Sequence, residues 1–273
     1  MRDLAGLLAP RPFVTDGTQP PPTGLRGGVM LLGSFDGMHR GHAALVAAGR
    51  VEAARRGAPL AILQCDPHPR AHFAGPSRFR ISPGLAQAAL IAEAGIDLIY
   101  APRFDAAFAA TQAEQFVTDL LLARLQIGGV IVGSDFRFGC SRKGDPGLLR
   151  ALGARHGFSV TVVADEVEGG ARVSSTAIRS AIVAGRLDEA QRLLGHVWTT
   201  HIQRSASGWR FTEDQILPPP GLWPVTALDG NGRPLTPARL ALGPDCNARA
   251  ELPSQTALLA WHAPATIPTG DTE

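Results

Sequence analysis

The 273-residue chain is short of lysine, cysteine, tyrosine and long apolar runs. Lys143 is its single lysine among 26 basic residues, which removes the lysine that a G-x-x-x-x-G-K-[ST] phosphate loop requires. Cys65, Cys140 and Cys246 have no paired spacing, so they imply neither a disulfide framework nor a zinc site. No apolar run reaches the length of a membrane span, and a start with Asp3 and two early prolines makes a poor signal peptide. These features predict a cytoplasmic protein with no membrane partner. The formal net charge is only +2. With no basic block or basic stripe interleaved with aromatics, the chain has no nucleic-acid footprint. What remains is 45% hydrophobic and 18% charged, enough for a sizeable core in one large domain or two smaller ones.

Residues 1–28 are rich in proline and glycine and read as an irregular lead-in. From Val29 apolar strands alternate with helices. Val29–Leu32, Leu60–Leu63, Ile96–Tyr100, Val130–Val132 and Phe158–Val163 read as strands. The segments 43–56, 84–94, 112–125, 146–156, 175–184 and 188–194 read as helices, several of them closed by glycine. That alternation predicts a Rossmann-like parallel α/β sheet over residues 29–195. From His196 helical periodicity disappears. Short runs such as Leu222–Val225 and Arg239–Leu242 predict a small β domain over 196–262, and the Pro/Thr-rich residues 263–273 read as a disordered tail.

The first strand runs into Gly33-Ser34-Phe35-Asp36-Gly37-Met38-His39-Arg40-Gly41-His42, and a helix follows. A helix start offers unpaired N–H groups and a positive dipole end, a seat for phosphate. The three glycines permit a sharp turn and close approach to a ligand. His39 and His42, three apart, share one side of a helical turn. Imidazole donors at such a seat suit charge moving between phosphate oxygens. H-x-G-H resembles the signature of the nucleotidylyltransferase superfamily.

Three further loops carry unusual chemistry. Asp66-Pro67-His68-Pro69 follows the second strand and reads on its residues as a rigid loop, a stiff connector with His68 in solvent. Gly133-Ser134-Asp135-Phe136-Arg137-Phe138-Gly139 follows the fourth. Its phenylalanines read either as core residues or as a slot for a planar ring. Arg172-Val173-Ser174-Ser175-Thr176-Ala177-Ile178-Arg179 places hydroxyls at a helix start with Arg179 four residues after Ser175, a second anion seat.

Taken in order, GSFDGMHRGH, DPHPR, GSDFRFG followed by Arg142-Lys143-Gly144-Asp145, RVSSTAIR and AGRLDEAQRLLG resemble the adenylyltransferase half of the bacterial bifunctional riboflavin kinase/FAD synthetase family, over about Val29 to Gly195. The resemblance implies transfer of AMP from ATP to FMN with Mg²⁺, giving FAD and pyrophosphate. It implies ATP contacts from Gly33, Phe35, Asp36, Gly37, His39, Gly41, His42, Ser175, Thr176 and Arg179, with His39, His42 and Arg179 acting in catalysis. It implies FMN contacts from Asp66, Pro67, His68, Pro69, Asp135, Phe136, Phe138 and Arg172. The family's kinase half carries G-R-x-L-G-x-P-T-x-N. The matching stretch here, Ile202 to Phe211, reads IQRSASGWRF and has no P-T-x-N, which predicts a shortened barrel without kinase activity. Transfer to another phosphorylated acceptor and a non-catalytic flavin or nucleotide sensor are the alternative readings.

Overall fold

Val29–Leu32 (β2) is fully buried and sits at the middle of a six-stranded parallel sheet. The computed structural model describes residues 12–75, 77–206 and 208–264. These fall into two compact units that are not consecutive in sequence. One holds the described residues of Gly6–Ser77 with Leu90–Ser174; the other holds Arg78–Ala89 with the chain from Ser175 onward.

In the first unit, β1 (Phe13–Thr15) and β2 precede helix α1 (Arg40–Arg56) and β3 (Leu60–Leu63). A short helix α2 (Pro69–Ala74) and β4 (Leu98–Tyr100) follow; between them helix α3 (Leu85–Glu93) begins in the segment that belongs to the other unit and ends in this one. Next come α4 (Ala106–Ala109), α5 (Ala113–Gln115), β5 (Gly129–Gly133), α6 (Pro146–His156) and β6 (Ser159–Val163). The strand order is β1-β4-β3-β2-β5-β6, parallel throughout. Alternate residues feed two cores. Met30, Leu32, Val130 and Val132 pack with Phe116, Val117, Leu120 and Leu121 on one side; Val29, Leu31 and Ile131 pack with Leu45, Val46 and Ile91 on the other. Burial of both faces explains why the strands read as unbroken apolar runs rather than alternating ones.

Two details differ from expectation. The lead-in is not irregular throughout: Phe13–Thr15 forms the edge strand paired with β4, while residues 1–11 lie outside the described chain, as do 265–273 of the expected tail. The helix expected over 112–125 widens after α5 into a π-type helix, Phe116–Arg124. At its end the Leu125 N–H donates to the Leu120 carbonyl, five residues back. Beyond β6 the chain forms a two-stranded hairpin, β7 (Val167–Glu168) with β8 (Ala171–Arg172).

The second unit contains α7 (Ser175–Val183), α8 (Leu187–Leu194) and a closed six-stranded antiparallel barrel. Its strands are β9 (Thr199–Ser205), β10 (Gly208–Phe211), β11 (Gly221–Leu228), β12 (Pro234–Leu242), β13 (Ala248–Arg249) and β14 (Leu258–Trp261), closed in the order β10-β13-β12-β11-β14-β9. The chain's four tryptophans all lie here and all are buried. Trp198 stacks on Trp261 at 5.0 Å, and the Trp261 indole N–H donates to the Thr200 hydroxyl at 2.9 Å. Trp198 and Trp223 are thus interior residues. The inserted segment 78–89 is bound tightly to the barrel. The Phe79 and Arg80 N–H groups donate to the Asp214 carbonyl, and the Ile81 carbonyl accepts from Trp198 Nε1 at 2.8 Å and from buried Gln215 Nε2 at 2.9 Å.

Candidate active site

In the first unit, the loops after β2, β3, β5 and β6 all leave the carboxyl edge of one parallel sheet. β2 lies between β3 and β5, so the chain turns one way from β2 to β3 and the other way to reach β5. Ligands of open α/β sheets bind outside the strand ends at such a switch point. The order therefore brings H-x-G-H to the middle of the edge, with DPHP on one flank and DFRFG and Arg172 on the other.

The central loop is strained. Gly37 has φ 76°, but Phe35 and Met38 also take left-handed φ of 47° and 43°, conformations that cost of order 1–3 kcal/mol each for such residues. Gly33 and Gly41 do not need positive φ, contrary to the reading of all three glycines as turn-makers. Phe35 is held there by complete burial, its ring 4.9 Å from that of His42. Asp36 is also fully buried. His39 is the N-cap of α1: its Nδ1 accepts the backbone N–H of His42 at 3.3 Å, which leaves the proton of a neutral ring on Nε2. The two imidazoles stack, centroids 3.7 Å apart, and both are buried. At Gly41 the constraint is tight space rather than φ. A Cβ there would lie 3.1 Å from His39 Cε1 and 4.0 Å from the Val173 carbonyl, so the start of the RVSS segment abuts the turn that carries both histidines.

The flanking loop after β3 is not simply a rigid connector. Asp66 and Pro67 are exposed, but His68 caps α2 by accepting the Arg70 N–H at 3.1 Å, and Pro69 opens that helix. Residue motifs did not mark Phe73, which α2 displays at 73% exposure, edge-on to Phe104 at 5.7 Å. An exposed aromatic on a loop helix is its only sequence signal. Cys65, immediately before the motif, is half-buried, and desolvation pushes its thiol up to about 12, toward the protonated, unreactive form.

On the other flank, Phe136 and Phe138 stack at 5.6 Å, but they differ in role. Phe138 is buried in the core against Phe116, while Phe136 is the half-buried outer ring. Reciprocal backbone bonds between Phe138 and Gly144 turn the inner ring inward. Arg172 Nη2 meets Asp135 at 2.6 Å and its Nε meets Asp165 at 3.2 Å, with both ends of the pair well exposed. The Asp135 hydrogen bond, reinforced by the charge of Asp165, raises the Arg172 guanidinium above its usual value.

In the second unit, Ser175 and Thr176 form the first turn of α7, half-buried and exposed respectively. Arg179 Nε donates to the Phe79 carbonyl at 2.6 Å, with its guanidinium 5.9 Å from the Phe79 ring. The inserted segment therefore orients this guanidinium. Among the described residues, no three His, Cys, Asp or Glu side chains converge on a metal site, and no helix is long and apolar enough to cross a membrane.

Sheet order and strand-end loops define a Rossmann-like parallel α/β unit, carried with an antiparallel barrel unit. The family model described as FAD synthetase matches residues 22–177. The bifunctional riboflavin kinase/FMN adenylyltransferase of Escherichia coli strain K12 is 41% identical over 174 residues, 62% of this chain and 55% of that one. A protein named FAD synthetase from Listeria monocytogenes is 31% identical over 202 residues, 72% of this chain and 80% of its own length. A crystal structure described as a macrolide-efflux protein from Streptococcus pneumoniae shares the fold, with a TM-score of 0.75 at 20% identity over 92% of this chain and 88% of that one. The chain belongs to the FAD synthetase family. It spans about half the length of the E. coli relative it matches.

Proposed function

We propose that this protein is an FMN adenylyltransferase. An FMN phosphate oxygen attacks the α-phosphorus of ATP in line, the bond to the bridging oxygen breaks, and pyrophosphate leaves as FAD forms. The observation that carries this reading is the His39/His42 stack at the start of α1, in the middle of the carboxyl edge of the sheet. The chain then supplies no covalent nucleophile. It binds, aligns and neutralises, which accounts for most catalysis in phosphoryl transfer. In this reading His39 Nε2 and the His42 ring donate to phosphate oxygens as charge builds. The main-chain groups of Gly33 to Gly41 cradle the nucleotide. Ser175, Thr176 and Arg179 take the β- and γ-phosphates. Arg172 and Asp135 act at the acceptor, with Phe136 and the Pro67–Pro69 segment as apolar wall. The protein's sparse donor set fits a Mg²⁺ ion carried chiefly by phosphate oxygens and water, as is usual at nucleotide sites; the ion would neutralise phosphate charge.

We also infer that the barrel no longer phosphorylates riboflavin. In place of P-T-x-N the chain forms the β9–β10 hairpin, and Trp198 and Trp261 are fully buried in the unit's interior. The reading of a cytoplasmic enzyme acting on small nucleotides alone goes with these proposals. The test is direct: purified protein with FMN, ATP and Mg²⁺, followed by chromatography. FAD with equimolar pyrophosphate is expected; their absence, with fresh substrates and intact fold, rejects the reading.

A further inference from the structure

Arg40 stands between the two motif histidines and opens helix α1. A cation at the positive end of a helix is unfavourable unless neutralised. At a phosphate seat an arginine is also the natural phosphate ligand. Arg40 is instead turned onto the hairpin that follows β6. Its Nη1 lies 2.6 Å from Glu168 and its Nη2 3.7 Å from Glu166. These carboxylates are on or just before β7. The opposite strand, β8, carries Arg172, whose guanidinium meets Asp135 in the loop after β5. Val167 pairs with Arg172 in register, and the Val173 N–H closes the base by donating to the Glu166 carbonyl at 2.8 Å. The tip turns on Gly169 and Gly170, where an added Cβ on either would meet nothing within 4 Å. The hairpin is thus tied by arginine–carboxylate pairs on both strands. Its acids go to the phosphate-seat helix, and its arginine goes to the DFRFG loop.

We propose that Arg40 is a positioning residue for the acceptor. Through Glu168 it fixes the hairpin that sets Arg172 against Asp135, and so it governs FMN affinity without binding ATP. This rests on the reading that Arg172 and Asp135 act at the acceptor. The pair is about a third exposed on each side, so its loss leaves the fold intact while freeing the hairpin.

The test uses the full chain as wild type, Arg40→Ala, Arg40→Lys and Glu168→Gln, with a reversed pair, Arg40→Glu with Glu168→Arg. Amide hydrogen exchange over residues 167–172 reports the tether independently of activity. Flavin fluorescence and steady-state kinetics give separate FMN and ATP constants. Arg40→Ala and Glu168→Gln are expected to speed exchange in the hairpin and to weaken FMN binding about three- to tenfold, leaving the ATP constant within about twofold. Arg40→Lys and the reversed pair recover part of both effects. Unchanged hairpin exchange in Arg40→Ala overturns the tether. A raised ATP constant with unchanged FMN binding makes Arg40 a phosphate ligand and overturns the proposal. Wild-type protein that binds no FMN defeats the acceptor assignment and this inference with it. Wild-type protein that binds FMN no better than Arg40→Ala defeats this inference alone.

Discussion

His39 and His42 stack with their ring planes 17° apart, and the ring of one caps the backbone of the other. The same imidazole is therefore a structural acceptor through Nδ1 and a candidate phosphate donor through Nε2.

The two roles of His39 can be separated. His39→Ala should lose the cap, at about 1 kcal/mol of stability, and also lose turnover. His39→Asn should restore the cap, since Asn is among the best N-cap residues, but not the turnover. His42→Ala should lower kcat on the order of 10²-fold or more while leaving FMN affinity nearly intact, by analogy with removal of an oxyanion donor. Thermal denaturation beside steady-state kinetics checks all three. Near-normal turnover in His42→Ala would end the phosphate-seat assignment.

Arg172→Ala and Asp135→Ala should raise the FMN constant and leave the ATP constant largely unchanged. The pair is exposed enough that its loss should change stability by no more than about 1 kcal/mol. Separate titrations of the two substrates against each variant decide the matter. A selective effect on ATP would move both residues to the nucleotide.

Incubation with riboflavin, ATP and Mg²⁺ should yield no FMN. In the proposed reading the barrel contributes stability instead. Trp198→Ala removes a fully buried indole that donates to the Ile81 carbonyl, and should cost about 3–5 kcal/mol in a melting experiment. A chain ended at Gly195 should retain some FAD synthesis but melt at lower temperature, because Phe79 and Ile81 lose the partners that bury them. FMN appearing in the riboflavin assay would show a working kinase.

His201 gives the barrel a pH dependence. Its Nδ1 is buried without a hydrogen-bond partner, a Cβ on Gly84 would lie 2.6 Å from it, and burial lowers its basicity below the usual 6.5. Below pH 6.5 the unfolded chain takes up a proton that the folded barrel resists. Its contribution is therefore complete above that pH and falls away as the pH drops toward the folded value. Wild-type protein should lose more melting temperature between pH 7.5 and pH 5.5 than His201→Gln does. Parallel curves would exclude His201 as the cause.

The parallel sheet was legible because its strands are buried on both faces, and the motif loops because each follows one of those strands. β1 was not: three residues, two of them exposed, make no periodic signal. The core role of Phe138 was hidden because alternation alone cannot tell which ring faces inward; the Phe138–Gly144 hydrogen bonds decide it. The β7–β8 hairpin escaped because two-residue strands of mixed polarity resemble any loop. Nothing in Arg78–Ala89 marks it as a barrel partner, since Asp214 and Gln215 lie more than a hundred positions downstream. On the segment's side the bonds are made by backbone groups, which every sequence possesses, and the side chains that meet them, Trp198 and Gln215, are far along the chain.

That inserted segment has a consequence for how the chain is made. Ile81 leaves the ribosome 117 positions ahead of Trp198, a delay of roughly 6–23 s at common synthesis rates of about 5–20 residues per second. Through that interval Phe79 and Ile81 are apolar side chains whose burial depends on residues not yet translated. The nascent polypeptide therefore carries a short apolar stretch that stays open to unwanted association until its partners have been made.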